Sequence, residues 1–371
     1  MGRRSARLIV LLLFLLLPRA AEAGEKLKVA VPDAGNGGNL QYLSFWVAMG
    51  AGEFAAEDLD VEVVSPAAPG QTPTFFEESD AEAAVLPPPM YLSMIARRAP
   101  ITLVANLLAN DPIELIVRKS ILTERKLDAS MPLKARLEGM RGLRIGIAPH
   151  PPARIRTLFA SEGLDYDKDV TMVTFHGKEQ NAAFTEGKVD ALFAHTPYVE
   201  RAIVHDDAVV LINLSRGESP ALANRMIHAL VFKKSFLERR RDVAVRAYRA
   251  IARAEAKIHE SPPAALAALK KQMPTRDERE VATLIGLYQP AIPKTPEVRV
   301  EDVAPSLAFF PSGQPKPDLT GIPLADYVAS DIARESQSSP FMKARAIVIA
   351  VSVAVVAMLA FVVVRARRKR A

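Results

Sequence analysis

Short apolar runs alternate with helix-like segments along most of this chain of 371 residues. Each run spans four or five residues, the length of a buried strand, and each helix-like segment spans seven to twelve. The runs are residues 27–31, 61–64, 83–86, 101–105, 113–117, 143–147, 191–194, 209–212 and 229–232, and the helix candidates are 45–56, 91–98, 153–162, 180–186 and 196–204. Because such alternation covers a mainly parallel sheet with helices, the sequence predicts the α/β fold class.

A weak internal repeat relates two parts of this pattern. A shift of 108 residues takes Phe76, Glu78, Glu82 and Pro89 onto Phe184, Glu186, Asp190 and Pro197. Open α/β sheets bind ligands at the carboxyl ends of their strands. Two copies therefore predict a two-lobed clamshell that closes on a small molecule. A long helix over 235–260 and a last helix over 324–335 are predicted to complete the body.

The N-terminus has the pattern of a secretory signal peptide. Arg3, Arg4 and Arg7 precede ten apolar residues (8–17), and small residues follow at 21–23. Ten helical residues rise only about 15 Å, half the thickness of a bilayer core. We predict a signal peptide over 1–23, cleaved before Gly24.

The C-terminus has the pattern of a transmembrane helix. Residues 346–364 contain Ser352 as their single polar side chain, and nineteen helical residues span about 28 Å, which matches a hydrocarbon core. The basic tail 365–371 follows directly, so the positive-inside rule places it in the cytoplasm. We predict a linker over 336–345 and a single membrane-spanning helix that holds the body on the periplasmic or extracellular side of a bacterial cell membrane.

Composition excludes several classes of function. Residues 24–342 contain 37 basic and 41 acidic residues, so the body lacks the basic surface that a nucleic-acid partner requires. The chain has no cysteine, which excludes a cysteine nucleophile, an iron–sulfur cluster and a disulfide. Its six histidines form no closely spaced metal pair, and no nucleophile-elbow, Walker or dinucleotide motif follows a strand. We predict no enzyme, no metal and no cofactor.

Some side chains are predicted to face the cleft between the lobes. Trp46, the single tryptophan, would give a flat wall near the start of an early helix, although a core position is the alternative. Arg154 follows strand 143–147 at a helix start, where anions are attracted. The predicted ligand-binding set is Asn39, Phe45, Trp46, Pro88, Tyr91, His150, Arg154, His195, Thr196 and Tyr198.

Three stretches resemble the sulfonate-, nitrate-, taurine- and thiamine-precursor-binding proteins of ABC importers. They are LSFWVA (43–48) with LDV (59–61), MRGLRIGIAPHPPARIRTLFASEGLDYDKDVTMV (140–173), and FTEGKVDALFAHTPYVERA (184–202). The resemblance covers residues 27–260 and implies the type 2 periplasmic-binding fold with hinges near 113–117 and 229–232. It implies a first lobe from 24–117 and 229–335 and a second lobe from 118–228. It also implies delivery of the ligand to an ABC permease and its ATPase, and we expect a monomeric ectodomain.

This chain departs from the family pattern in a segment that bears on which ligand it binds. His150-Pro151-Pro152 replaces a segment that is usually rich in Gly and Ser, and the two prolines remove amides that would hold an anion. With the aromatic residues this favours a flat heterocycle, such as a pyrimidine precursor of thiamine. Arg154 leaves a sulfonate or nitrate as the alternative.

Three other functions remain open. They are a ligand sensor that signals through a partner protein, a scaffold that has lost its ligand, and a synthase of the thiamine pyrimidine. The related synthases depend on a cysteine-rich motif that this chain lacks.

Overall fold

The computed structural model describes residues 24–32, 39–148, 152–310 and 315–337. Within these ranges, ten strands form two five-stranded sheets. The strands are β1 (Glu25–Ala30), β2 (Leu59–Val64), β3 (Ala83–Leu86), β4 (Ile101–Ala109), β5 (Glu114–Arg118), β6 (Arg144–Ile147), β7 (Thr171–Thr174), β8 (Ala191–Ala194), β9 (Ala208–Asn213) and β10 (Met226–Lys233).

The two sheets have the same internal order. The first is β2-β1-β3-β10-β4 and the second is β7-β6-β8-β5-β9. In the first sheet β1 pairs in parallel with β2 and β3, and β10 is antiparallel to both of its neighbours. In the second sheet β5 takes the antiparallel position. Strands β3 and β8, which are 108 residues apart, are the middle strands of the two sheets, so the repeat relates equivalent positions.

Thirteen α-helices connect and cover these strands within the described ranges. They are α1 (Leu43–Gly50), α2 (Thr72–Glu78), α3 (Pro88–Ala96), α4 (Lys119–Arg125), α5 (Leu133–Glu138), α6 (Pro152–Ser161), α7 (Tyr166–Asp169), α8 (Glu179–Thr185), α9 (Tyr198–His205), α10 (Lys234–Glu260), α11 (Pro262–Gln272), α12 (Glu278–Tyr288) and α13 (Ile332–Gln337). The result is a mixed α/β fold of two lobes, each built on one sheet.

The chain passes between the sheets twice, at positions that differ from the predicted hinges. Residues 110–113 form the first crossing, from β4 to β5, and residues 214–225 form the second, from β9 to β10. The predicted hinges at 113–117 and 229–232 lie mainly inside β5 and β10. Both strands are buried and hydrogen-bonded on two sides. The second lobe thus begins before residue 117 and ends before residue 228.

Two predicted helices are interrupted. The helix predicted over 45–56 ends at Gly50 and continues as a separate 3₁₀ turn, Ala55–Glu57. The helix predicted over 324–335 is a 3₁₀ turn, Leu324–Tyr327, followed by α13. Val328 between them is extended and bridges in parallel to Leu103 of β4, because the edge strand β4 offers free backbone groups there.

The C-terminal helices pack against both lobes. Helix α11 packs on α1 so closely that a Cβ atom at Gly50 would lie 2.0 Å from the carbonyl oxygen of Ala268. Helix α12 packs on α9 of the second lobe. Residues after β10 therefore help to set how the two lobes are held together.

No helix within the described residues is long and apolar enough to cross a membrane. The predicted signal peptide (1–23), the predicted span (346–364) and the basic tail (365–371) lie outside the described residues.

Candidate functional site

The two chain crossings lie side by side. The backbone N–H of Asn110 donates to the carbonyl oxygen of Arg225 over 3.0 Å, and its side-chain amide donates to the carbonyl of Ser215 over 3.1 Å. The N–H of Asn224 donates back to Asn110 Oδ1 over 2.9 Å. One residue of the first crossing thus holds both ends of the second.

A cluster of charged and imidazole side chains lies at these crossings, and we call Asp111, Arg154, Arg225, His195 and His228 the junction cluster. Asp111 and Arg225 belong to the crossings, whereas Arg154 comes from α6, His195 follows β8 and His228 lies in β10. Arg154 Nη1 donates to Asp111 Oδ1 over 2.6 Å, and Asp111 is fully buried. Arg225 is 7% exposed, and its Nη2 donates to the carbonyl of Ala221. Within the described part of the chain, neither Arg225 Nη1 nor Asp111 Oδ2 has a hydrogen-bond partner. Unpaired buried groups cost about 1–3 kcal/mol each. An anion can accept from Arg225 Nη1, whereas Asp111 Oδ2 requires a hydrogen-bond donor.

The junction cluster carries a net positive charge. Burial lowers the pKa of Arg225, the Asp111 carboxylate opposes this effect, and Arg154 adds to it. The guanidinium groups of Arg225 and Arg154 are therefore both close enough to interact electrostatically with the Asp111 carboxylate. Because a guanidinium stays protonated at neutral pH, two cations face one anion here.

The two histidines of the cluster are neutral at neutral pH. Burial and the Arg154 charge lower the pKa of His195 to about 4, against the hydrogen bond to the carbonyl of Thr196, which raises it. Burial lowers the pKa of His228 to about 3. The His228 ring is 4.7 Å from the Tyr42 ring, edge to face, and its Nδ1 has no partner among the described residues. The imidazoles therefore add hydrogen-bonding atoms to the cluster without adding charge.

The predicted aromatic wall is mostly core. Phe45 is fully buried in the first lobe and packs edge to face on Trp46 at 5.1 Å. Trp46 is 7% exposed, and its indole N–H donates to the carbonyl of Asn39 over 3.0 Å. The Asn39 side chain accepts from the N–H of Gln41 and caps a 3₁₀ turn. These groups position the start of α1, and the indole N–H of Trp46 already has a hydrogen-bond acceptor within the first lobe.

Pro88 and Tyr91 are also core residues. Pro88 lies in the first turn of α3 and is buried. The Tyr91 ring is fully enclosed, and its hydroxyl donates to the carbonyl of Met226 over 2.8 Å. Burial raises the pKa of Tyr91. The prediction that Tyr91 stacks on a ligand is therefore wrong for this arrangement, because the ring has no accessible face.

Of the predicted residues near the start of α6, Arg154 joins the junction cluster. The ion pair with Asp111 draws it to the first crossing. His150 lies outside the described residues. The role of Arg154 in binding an anion stays a prediction, and an anion there would share Arg154 with Asp111.

Thr196 connects the second lobe to the C-terminal helices. Its N–H donates to the hydroxyl of Tyr288 over 3.1 Å, and that hydroxyl donates to the carbonyl of Pro112 over 3.0 Å. The Thr196 hydroxyl donates to Glu200 over 2.6 Å. Tyr288 is fully buried. A single phenol therefore joins strand β8, helix α12 and the first crossing.

Two buried carboxyls flank this phenol. Burial raises the pKa of Glu114 to about 8, although its oxygens accept from Ser215 Oγ over 2.5 Å and from the N–H of Leu214 over 2.8 Å. Burial raises the pKa of Glu200 to about 7. Both groups hold protons more tightly in the folded protein than in water, so their protonation is linked to folding.

Tyr198 leads to a second feature, a cavity of about 470 Å³ that we call the lateral cavity. The Tyr198 ring is half-buried and lies 5.9 Å from the His195 ring. The charged residues of the cavity are Lys178 before α8, Arg201 on α9, and Arg276 and Glu280 at the start of α12. The cavity lies between the second lobe and the C-terminal helices.

One group of side chains has the composition of a metal site. The ligating atoms of His205, Asp277 and Glu280 lie within 4.8 Å of one another. Arg279 lies 2.9 Å from Asp277, and Arg201 lies 3.6 Å from Glu280. These guanidinium groups already neutralise the two carboxylates and would repel a metal cation.

Sequence reasoning missed Asp111, Arg225, His228 and Tyr288. The signal available for the first two was position: Asp111-Pro112 follows a long apolar strand, and Asn224-Arg225 precedes another. Charged or polar residues at strand ends point to a ligand site. Nothing in the sequence indicates that the two positions meet.

Residues 39–265 match the family model described as NMT1/THI5 like. The match includes most of both lobes and both crossings. This chain belongs to the NMT1/THI5-like family. No curated protein sequence matches it.

Solved structures share the fold of this NMT1/THI5-like chain. The periplasmic aliphatic sulphonate-binding protein SsuA of Escherichia coli is 15% identical, with a TM-score of 0.53 over 76% of this chain and 89% of that one. The periplasmic nitrate-binding protein NrtA of Synechocystis PCC 6803 is 14% identical, with a TM-score of 0.54 over 85% and 90%. The desulfurization enzyme DSZB is 14% identical, with a TM-score of 0.52 over 85% and 99%. The fold therefore occurs in periplasmic binding proteins and in an enzyme.

Proposed function

We propose that this protein is an extracytoplasmic solute-binding protein that captures a small anion-bearing molecule at the junction cluster and delivers it to an ABC permease. The observation that carries the proposal is the buried guanidinium of Arg225, whose Nη1 has no partner among the described residues. Arg154 lies within electrostatic reach of it. A planar guanidinium fork suits sulfonate, nitrate or carboxylate oxygens.

The position of the cluster supports the proposal. It lies where both crossings meet, so a ligand held there contacts the segments about which two lobes would move. Closure around a ligand shifts the population toward the closed state, and a permease can recognise that state. The fold neighbours from Escherichia coli and Synechocystis PCC 6803 are sulphonate- and nitrate-binding proteins.

Charge favours an anion over a flat heterocycle. The heterocycle prediction depended on four aromatic side chains, of which Phe45 and Tyr91 are enclosed in the core. Trp46 uses its donor within the first lobe. A neutral pyrimidine would leave the charge of Arg225 uncompensated in a buried site, which is costly.

Binding to the purified full-length protein tests the ligand class. The probes are ethanesulfonate, nitrate and 4-aminopyrimidine, followed by isothermal titration and by Trp46 fluorescence. We expect an anion to bind and Arg225→Met to weaken it at least tenfold, whereas the exposed control Arg239→Met leaves it unchanged. Binding of 4-aminopyrimidine alone, or anion binding that Arg225→Met does not alter, would overturn the anion site.

We also propose that residues 346–364 tether the protein to the membrane with the tail in the cytoplasm. Because the chain has no cysteine, introduced cysteines report topology without background. In intact cells an impermeant maleimide should label Lys316→Cys on the exposed surface and should not label Ala371→Cys. Labelling of both positions would contradict the tether.

Deleting residues 346–371 separates transport from sensing. A released binding protein is expected to support uptake of its solute at reduced efficiency, because the tether raises the local concentration at the permease. Loss of a signalling output with unchanged uptake would favour the sensor.

A further inference from the structure

Cations from separate elements also converge at the lateral cavity. Lys178 precedes α8, Arg201 lies one turn into α9, and Arg276 comes between α11 and α12. All three line the lateral cavity of about 470 Å³. Pockets of 300–1,000 Å³ are typical of small-molecule sites.

The charge of the lateral cavity is positive. Glu280 is its single acidic wall residue, and that carboxylate is already partnered: His205 Nε2 lies 2.9 Å and Arg201 Nη1 3.6 Å from Glu280 Oε1. Lys178 is exposed and forms no ion pair within the described ranges. With three cations and one carboxylate, the charged side chains of the cavity wall sum to a net positive charge.

The remaining wall is suited to an organic molecule rather than to a bare ion. The half-buried Tyr198 ring and Pro197 give an apolar side. Asn181 donates to the carbonyl of Tyr198 over 2.9 Å, which fixes this wall against α8. Apolar walls with a few convergent charged groups are the usual composition of a ligand pocket.

We propose that the lateral cavity binds a small organic polyanion, one that carries a phosphate or two or more carboxylates, at a site separate from the junction cluster. Lys178 and Arg201 bind the anionic groups, and Tyr198 covers the organic part. Lysine and arginine bind phosphate and carboxylate through charge-assisted hydrogen bonds.

Such a ligand would act as an effector. The cavity walls come from the second lobe and from the segment between α11 and α12, and α11 packs on α1 of the first lobe. A bound polyanion therefore stabilises the contact between the second lobe and the C-terminal helices. Because linkage is reciprocal, the factor by which the effector changes affinity at the junction equals the factor by which the junction ligand changes affinity for the effector.

The test uses pyrophosphate and citrate as probes in isothermal titration with the purified full-length protein. We expect saturable binding that Lys178→Met and Arg201→Met each weaken at least tenfold. Lys188→Met is the matched control, because Lys188 is an exposed cation of the same lobe that pairs with Glu186 outside the cavity. Two variants are used because Arg201→Met also removes the contact with Glu280.

Arg225→Met distinguishes this proposal from the proposed function. Polyanion binding should be unchanged in that variant, which removes only the junction site. Loss of pyrophosphate and citrate binding in Arg225→Met would place these anions at the junction and overturn the lateral site. Absence of binding to the wild-type protein, or equal weakening by Lys188→Met, would also overturn it.

Discussion

Arg154 Nη1 donates to Asp111 Oδ1 over 2.6 Å, and this ion pair joins helix α6 of the second lobe to the first chain crossing. The Asp111 side chain is fully buried and that of Arg154 is 10% exposed. Each charge of this buried pair compensates the other, because a buried charge without a partner is strongly destabilising. The pair holds the junction cluster in place. The proposed anionic ligand would balance the net positive charge that this cluster carries.

Asp111→Asn should destabilise the protein and strengthen anion binding. The substitution keeps the shape but leaves Arg154 and Arg225 without a counter-charge, which we expect to lower the free energy of unfolding by about 3 kcal/mol. Added nitrate or ethanesulfonate should restore part of that loss, because the anion replaces the carboxylate charge. Urea unfolding with and without each anion measures both effects.

The control is Asp80→Asn, which breaks the exposed pair of Lys28 and Asp80. Exposed pairs contribute little to stability, so no measurable change and no anion rescue are expected. If Asp111→Asn behaved like this control, the junction pair would have no special role.

Tyr288→Phe should loosen the connection between the lobes. The phenol donates to Pro112 and accepts from Thr196, and both bonds are lost in the variant. We expect the free energy of unfolding to fall by about 2 kcal/mol. Tyr166→Phe is the matched control, since the Tyr166 hydroxyl is buried with no partner among the described residues, and its removal should cost nothing. Equal effects of the two variants in urea unfolding would contradict the role given to Tyr288.

Glu114→Gln should make stability less dependent on pH. Burial raises the pKa of Glu114 to about 8 from an ordinary value of 4.5, so the folded protein binds a proton that the unfolded chain releases above that ordinary value. The wild-type free energy of unfolding should therefore fall as pH rises from about 5 to 8, by up to about 1.4 kcal/mol per pH unit for this group. Glutamine cannot ionise, and its Oε1 can accept from the N–H of Leu214 while its Nε2 donates to Ser215 Oγ.

Urea unfolding at pH 5, 6.5 and 8 tests this expectation. The slope should be smaller in Glu114→Gln and unchanged in the exposed variant Glu124→Gln. A wild-type slope that persists in Glu114→Gln would mean that this carboxyl is ionised when folded.

Gly50→Ala should separate α1 from α11. The added Cβ would lie 2.0 Å from the carbonyl oxygen of Ala268, and backbone on both sides has to move. We expect a loss of about 3 kcal/mol in the free energy of unfolding. Gly286→Ala lies in α12 with open space around the new methyl group and should gain about 1 kcal/mol. Thermal unfolding of both variants measures the two changes in stability. A change of the same sign in both variants would contradict this account.

Local sequence pattern predicted the elements that depend on short-range order. The apolar runs 83–86 and 191–194 are β3 and β8 to the residue, because a run of four apolar residues is of strand rather than helix length. The repeat of 108 residues likewise predicted two equivalent lobes. Arg154 could be predicted as a site residue because it follows a strand and begins a helix.

The first part of the helix predicted over 324–335 is prevented by a contact from a distant part of the chain. Val328 pairs with Leu103, more than two hundred residues earlier in the chain, and this pairing keeps Val328 out of a helix. The same applies to Tyr91, whose aromatic ring suited a ligand wall but which the folded chain places in the core beside Met226. A local pattern contains no information about such neighbours.

By itself the sequence determined the α/β fold class and nine of the ten described strands, each to within three residues of where it begins, because strand and helix periodicity are properties of neighbouring residues. It missed β7. Only the tertiary structure decided the site. Asn110 and Asn224 are 114 residues apart, and their hydrogen bond brings Asp111 and Arg225 to one buried place. The charge of the junction cluster depends on which side chains the two crossings bring together. Only long-range packing determines which side chains these are.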